Sequence, residues 1–152
     1  MSYTADEARR RLLEDLAGAI EQLGVALSCL TEAYEMVDEQ LAQALEDQVF
    51  RPTQAGYGRA RRAFTAFAQR HGLEAAAPEE GSSGTHSEDP RAYLERALQA
   101  VERADLEIAE LQDSLLPVEV GDRELRDALS GTRELIGAVP GRARALLRGL
   151  GR

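Results

Sequence analysis

Leu13, Leu16, Ile20, Leu23, Leu27, Leu30, Tyr34, Val37, Leu41 and Ala44 recur at alternating spacings of three and four residues. That is the heptad pattern of a helix packed lengthwise against other helices. No proline interrupts the span, and Thr4-Ala5-Asp6-Glu7 reads as a capping box ahead of it. The pattern therefore predicts one helix, A, over residues 4–49, extending roughly 65 to 70 Å. Arg51-Pro52 should stop it, because proline cannot continue the hydrogen-bond ladder and turns the preceding residue away from helical dihedrals.

Thr53 to Gly58 then read as a connection, and Tyr57, Ala60, Phe64 and Phe67 as the buried stripe of helix B over 57–71, with Gly72 as its stop. Residues 74–89 (EAAAPEEGSSGTHSED) are small, acidic and without branched apolar or aromatic side chains, the composition of a disordered linker. Asp89-Pro90 is a helix-start pair, an acid at the cap and proline in the first turn. Helix C over 90–116 carries Leu94, Ala97, Val101, Ala104, Ile108, Leu111 and Leu115 in the same spacing, up to Pro117. Helix D over 122–150 carries Leu125, Ala128, Thr132, Leu135 and Val139, kinked or broken at Pro140, with Ala143, Leu146 and Leu150 nearly in phase beyond it.

The small residues Ala17, Ala19, Gly24, Ala26 and Ala33 widen the apolar face of helix A beyond a two-stranded stripe. The fold expected is an all-α, single-domain, antiparallel four-helix bundle of two helical hairpins, with coiled-coil-like packing and one very long N-terminal helix. The two proline segments also resemble each other: Asp47, Pro52, Gly56, Arg61 and Ala63 align with Asp113, Pro117, Gly121, Arg126 and Ala128, as two copies of one hairpin would.

Lengths do not match in that arrangement. Helix B, half as long as helix C, would leave the N-terminal half of helix A uncovered. Each of Leu13, Leu16, Ile20 and Leu23 left in water would forfeit about 1.5 to 3 kcal/mol. A second copy of the chain covering these four residues is the expectation that follows, a homodimer through helix A.

Composition changes the picture in two places. The single cysteine, Cys29, excludes an intramolecular disulfide and any multi-cysteine zinc site, and with no signal-type apolar segment at the start it points to the cytoplasm. All 18 basic residues are arginine, with lysine, asparagine and tryptophan absent, a bias of GC-rich, bacterial type rather than a functional signal. Charge alternates along the chain: residues 1–50 hold three arginines against eleven acids, and 51–73 hold five arginines and no acid. Acidic long helices and basic returning ones suit pairing as neighbours, at about 0 to 1 kcal/mol for each pair.

Candidate chemistry is sparse. A di-iron carboxylate bundle needs Glu three residues before His, but Ala68 precedes His71 and Ser83 precedes His86, so neither a metal nor another cofactor is indicated. Cys29 beside the seam reads as a small buried side chain rather than a nucleophile. Tyr34, Tyr57, Phe64 and Phe67 are the candidates for an apolar pocket of a small-molecule carrier or sensor. Arg59, Arg61 and Arg62, with Arg142, Arg144 and Arg148, are the candidates for contact with phosphate. Through them an accessory binding nucleic acid or an anionic membrane is the second alternative, which the net charge of -9, the lack of a nucleic-acid-binding motif and the small apolar face of the basic tail disfavour. The function expected is a non-enzymatic interaction or scaffold protein that works through a helical face, with its protein partner and pathway unspecified.

Overall fold

In the computed structural model the first helix, α1, runs from Ser2 to Met36 and stops thirteen residues before Val49. The structure describes residues 2–79, 81–82 and 88–150. Asp38 makes the stop. Its backbone is extended (φ -67°, ψ 166°) and its carboxylate accepts the Leu41 amide at 2.8 Å, which starts α2 (Glu39–Leu45) as a new helix. The three-four arithmetic continues across this break, but burial does not. Beyond it the buried positions are Ala42, Leu45 and Val49, while Leu41 and Ala44 are only half-buried. The Thr4 capping box is likewise not the start, since α1 is already helical at Ser2.

Pro52 does not end a helix. The chain passes from α2 through a π turn (Glu46–Phe50) directly into α3 (Arg51–Arg70), so Thr53 to Gly58 are helical and not a connection. In a regular α-helix the Pro52 ring would press on the carbonyl four residues back, and its own donor is missing. The π turn widens the ladder here, with the Arg51 amide bonding to the Glu46 carbonyl. The buried Thr53 hydroxyl donates to the Val49 carbonyl at 2.7 Å, satisfying an acceptor near the proline. The run from Glu39 to Arg70 is about 48 Å long, close to the length of α1.

The end of α3 follows the expected rule. Gly72 takes a left-handed backbone (φ 64°), the Leu73 amide bonds to the Ala68 carbonyl and the Gly72 amide to that of Gln69, while Leu73 is buried. This is a Schellman stop with its accompanying apolar contact. Residues 74–79 and 81–82 have no regular structure, yet they are not a free linker. Ala77 packs on the core, Arg61 donates to the Pro78 carbonyl, and Gly81 sits so near Val25 that an added Cβ would lie 3.0 Å from it. Small side chains let this strap lie flat on α1 and α3.

α4 (Pro90–Asp113) starts as expected, with Asp89 accepting the Ala92 amide at 2.8 Å. It ends three residues before 116, where a short α5 (Leu116–Glu119) holds Pro117 in its first turn. α6 (Arg123–Ile136) is capped by Asp122 on the Leu125 amide at 2.8 Å. Helix D breaks at Gly137–Ala138, two residues ahead of Pro140, which instead sits in the first turn of α7 (Val139–Leu150). There its missing N–H costs nothing. The two proline segments thus differ, one a continuous helix and the other an interruption, and the likeness between them is not carried into structure.

Two packed pairs, α1 with α4 and α3 with α6, run in opposite directions. Arg9 of α1 donates to the Val120 carbonyl at 3.1 Å, and Gly18, further along α1, faces Glu107 of α4. Gly56 of α3 meets Ile136 at one end of α6, and Arg70 meets Asp122 at the other. The product is an all-α helical bundle with no strand among the described residues. One apolar core runs through it from Leu12 to Leu147.

Two glycines of α3 test this packing. A Cβ on Gly56 would lie 2.5 Å from the branched Cγ2 of buried Ile136, whereas on Gly58 it meets only the flexible end of Arg62 at 3.0 Å. In urea unfolding, Gly56→Ala should lose about 1 to 2 kcal/mol through overpacking, despite its better helix propensity. Gly58→Ala should hold or gain up to about 1 kcal/mol; the opposite order would mean that α3 and α6 do not approach at Gly56.

Candidate functional site

Leu13, Leu16, Ile20 and Leu23, the expected self-association face, are 2, 1, 0 and 0% exposed within a single chain. The length mismatch that motivated a second copy is absent. α1 is shorter than expected, the α2–α3 run is longer, and α4 and the strap complete the cover. These four residues are interior side chains. Ile20→Ala should therefore cost about 2 to 5 kcal/mol, with an unfolding midpoint that does not move with protein concentration. A concentration-dependent midpoint would put the seam between copies.

The four aromatic pocket candidates are not brought together. Phe64 and Phe67 are core residues, and the Phe67 ring packs on that of His71 at 4.4 Å. Tyr57 is half-buried under the Arg61 guanidinium, 5.5 Å from its ring centre. Tyr34 stands apart. Although it continues the seam in sequence, it is 45% exposed, and Met36 beside it is 42% exposed. Burial of α1 ends at Ala33, one residue earlier.

What Tyr34 faces comes from another part of the chain. A hollow of about 270 Å³ is lined by Thr31 and Tyr34 of α1 and by Glu46 and Phe50 of the π turn. The break at Asp38 folds α2 back so that Phe50 reaches this level, and the widened turn carries both Glu46 and Phe50 on its rim. The Thr31 hydroxyl is engaged, donating to the Leu27 carbonyl at 2.9 Å. Two aromatic rings and a carboxylate thus surround an opening suited to an apolar group with a positive charge beside it. Sequence reading missed Phe50 as Tyr34's neighbour; the signal available was Asp38, an aspartate cap of the kind that starts α4 and α6.

The arginine candidates are mostly engaged within the chain. Arg59 lies across Gly131, where a Cβ would come within 2.4 Å of its Nε, and reaches the Asp127 carbonyl at 3.4 Å. Arg61 holds Pro78, Arg142 donates to the Gln48 carbonyl at 3.3 Å, and Arg144 pairs with Glu102. Arg62 and Arg148 are exposed, on α3 and α7. The six do not form one anion-binding surface.

His71 joins an ionic clasp between α3 and α6. Arg70 makes a two-pronged contact with Asp122, both bonds 2.8 Å, and also reaches Glu124 at 3.0 Å, while His71 Nε2 lies 3.0 Å from the same Asp122. Burial pushes the Asp122 carboxyl up, but the Arg70 fork, the Leu125 amide and His71 outweigh it and hold the group well below the usual carboxylate range. Cys29 is fully buried. Burial raises its pKa, Arg96 partly opposes this, and Glu88 and Glu32 add to it, so the thiol form prevails at neutral pH. His86 lies outside the described residues, among which no group of three or more His, Cys, Asp or Glu side chains is placed to hold a metal ion. No described helix is long and apolar enough to cross a membrane.

These features define the class, an all-α helical bundle with an aromatic hollow at one corner. Compared with protein-family models, with curated proteins and with solved structures, the chain matches none.

The clasp makes stability depend on pH in a definite sense. A carboxyl depressed in the folded state stabilises fully above its unfolded value near 4 and loses that contribution as pH falls toward the folded one. Asp122→Asn keeps a capping acceptor but removes the charge. It should cost about 1 kcal/mol at pH 7, with the gap to the native chain shrinking as pH falls below about 4. A gap of equal size at pH 7 and pH 3 would assign the effect to the cap alone.

Proposed function

We propose that the chain is a non-enzymatic protein-interaction module whose working surface is the corner formed by Tyr34, Met36 and Phe50. The observation that carries this reading is the 45% exposure of Tyr34 on a hollow that Phe50 also lines, with Met36, 42% exposed, two residues further along a helix whose seam positions before Tyr34 are buried. Tyrosine, methionine and phenylalanine are the residue types concentrated at protein interfaces. Leu115 and Val118, the other strongly exposed apolar pair, crown the short α5 turn. Arg9 on the Val120 carbonyl and Arg126 on that of Pro117 support that turn as a structural connection. At this corner a small-molecule carrier is the weaker reading, because 270 Å³ falls below the range of about 300 to 1,000 Å³ usual for such sites.

The test compares the native chain with a Tyr34→Asp, Met36→Asp variant of matched thermal unfolding. Affinity enrichment from the source cells should recover a protein that, once identified and purified, binds the native chain at least ten-fold more tightly than the variant, as loss of an interface anchor worth about 2 kcal/mol requires. Partners that bind both chains equally would move the working surface elsewhere.

A further inference from the structure

Charge around the hollow is unlike charge elsewhere on the bundle. Residues 31–50 contain six carboxylates, Glu32, Glu35, Asp38, Glu39, Glu46 and Asp47, and no arginine. Among the described ion pairs only Asp47 of these meets a cation, Arg51 at 3.7 Å. Elsewhere on the bundle several carboxylates meet an arginine from a distant part of the chain: Asp122 with Arg70, Asp105 with Arg133, Glu102 with Arg144 and Glu88 with Arg96. Of the six at the corner, Glu46 lines the hollow itself, while Asp38, Glu39 and Asp47 line a second, polar hollow along α2 with Gln40, Gln43 and Gln48, so negative charge without a cation from the chain stands beside an apolar opening.

We infer that the occupant of this corner is a basic amphipathic segment of another protein, with one bulky apolar side chain entering the hollow between Tyr34 and Phe50 and flanking lysines or arginines meeting the carboxylates; this rests on the corner being the working surface. Complementary charge steers such a segment in and sets its register, and the apolar anchor holds it. Side chains must do the recognition, because no strand among the described residues offers an edge to which a segment could add. Nucleic acids and anionic lipid surfaces carry the sign of charge that this rim repels.

The full chain is titrated with three fluorescein-labelled amphipathic peptides: leucine face with lysine face, the same leucines with glutamates, and the same lysines with serines. The lysine–leucine peptide should bind at least ten-fold more tightly than either of the others. Its binding should weaken with salt, fall at least ten-fold in Tyr34→Ser, Met36→Ser, and fall several-fold in Glu35→Gln, Glu46→Gln. Equal binding of lysine and glutamate peptides, lost in the Tyr34, Met36 variant, would overturn the basic partner while leaving the working surface in place. Lysine–leucine binding indifferent to the Tyr34, Met36 variant would be general attraction to an acidic chain and would overturn both. No binding by any peptide would overturn the basic partner, and the enrichment experiment would then decide the surface by itself.

Discussion

The passage of a helix through Pro52 sets the proportions of the molecule. A proline in mid-helix removes a donor and crowds a carbonyl, at a cost of about 3 kcal/mol in a regular ladder. Here a π turn supplies the room and the Thr53 hydroxyl serves the Val49 carbonyl. The α2–α3 run thereby becomes long enough to lie along α1, and Phe64 and Phe67 fall on its buried side. With a stop at Pro52, the helix returning along α1 would be only about half the length of the α2–α3 run. The same π turn carries Glu46 and Phe50 to the rim of the hollow, so the device that covers the core also shapes the corner.

Electrostatics divides the surface into two kinds. Over most of the bundle, arginines close on carboxylates or carbonyls of neighbouring helices. The Arg70–Asp122–His71 clasp ties the end of α3 to the start of α6 at the very residue that caps α6. Individually such pairs contribute little, but they choose which helix lies beside which. At the junction of α1 and α2 the carboxylates have almost no such partners, and exposed apolar groups stand among them. A surface that holds both unspent charge and unspent apolar area favours a partner bearing the complement of each.

Much of the architecture was legible. Asp89 and Asp122 start helices, Gly72 ends one, and Cys29 is interior, because each of these rests on local backbone chemistry or on a period that one helix enforces. The errors share a cause. Asp38 caps α2 with the same 2.8 Å carboxylate-to-amide bond as Asp89 and Asp122, but an apolar period running through Val37 and Leu41 masked it. With the break hidden, the period carries Tyr34 into the core and makes α1 longer than one returning helix can cover. Pro52 misled in the other direction: a π turn has no composition of its own, and only the tertiary contacts of α3 reveal that the helix goes on. The hollow, built from residues on both sides of an unseen break, could not be assembled from spacing.

Backbone ¹³Cα chemical shifts across residues 33–60 of the intact chain test this arrangement most directly. Helical shifts up to Met36, an interruption at Val37–Asp38, and unbroken helical shifts from Glu39 through Pro52 to Ala60 are the result required. Helical shifts through Asp38 with loss of helix at residues 51–58 would restore the single long helix, uncover the α1 seam and dissolve the corner on which the functional reading stands.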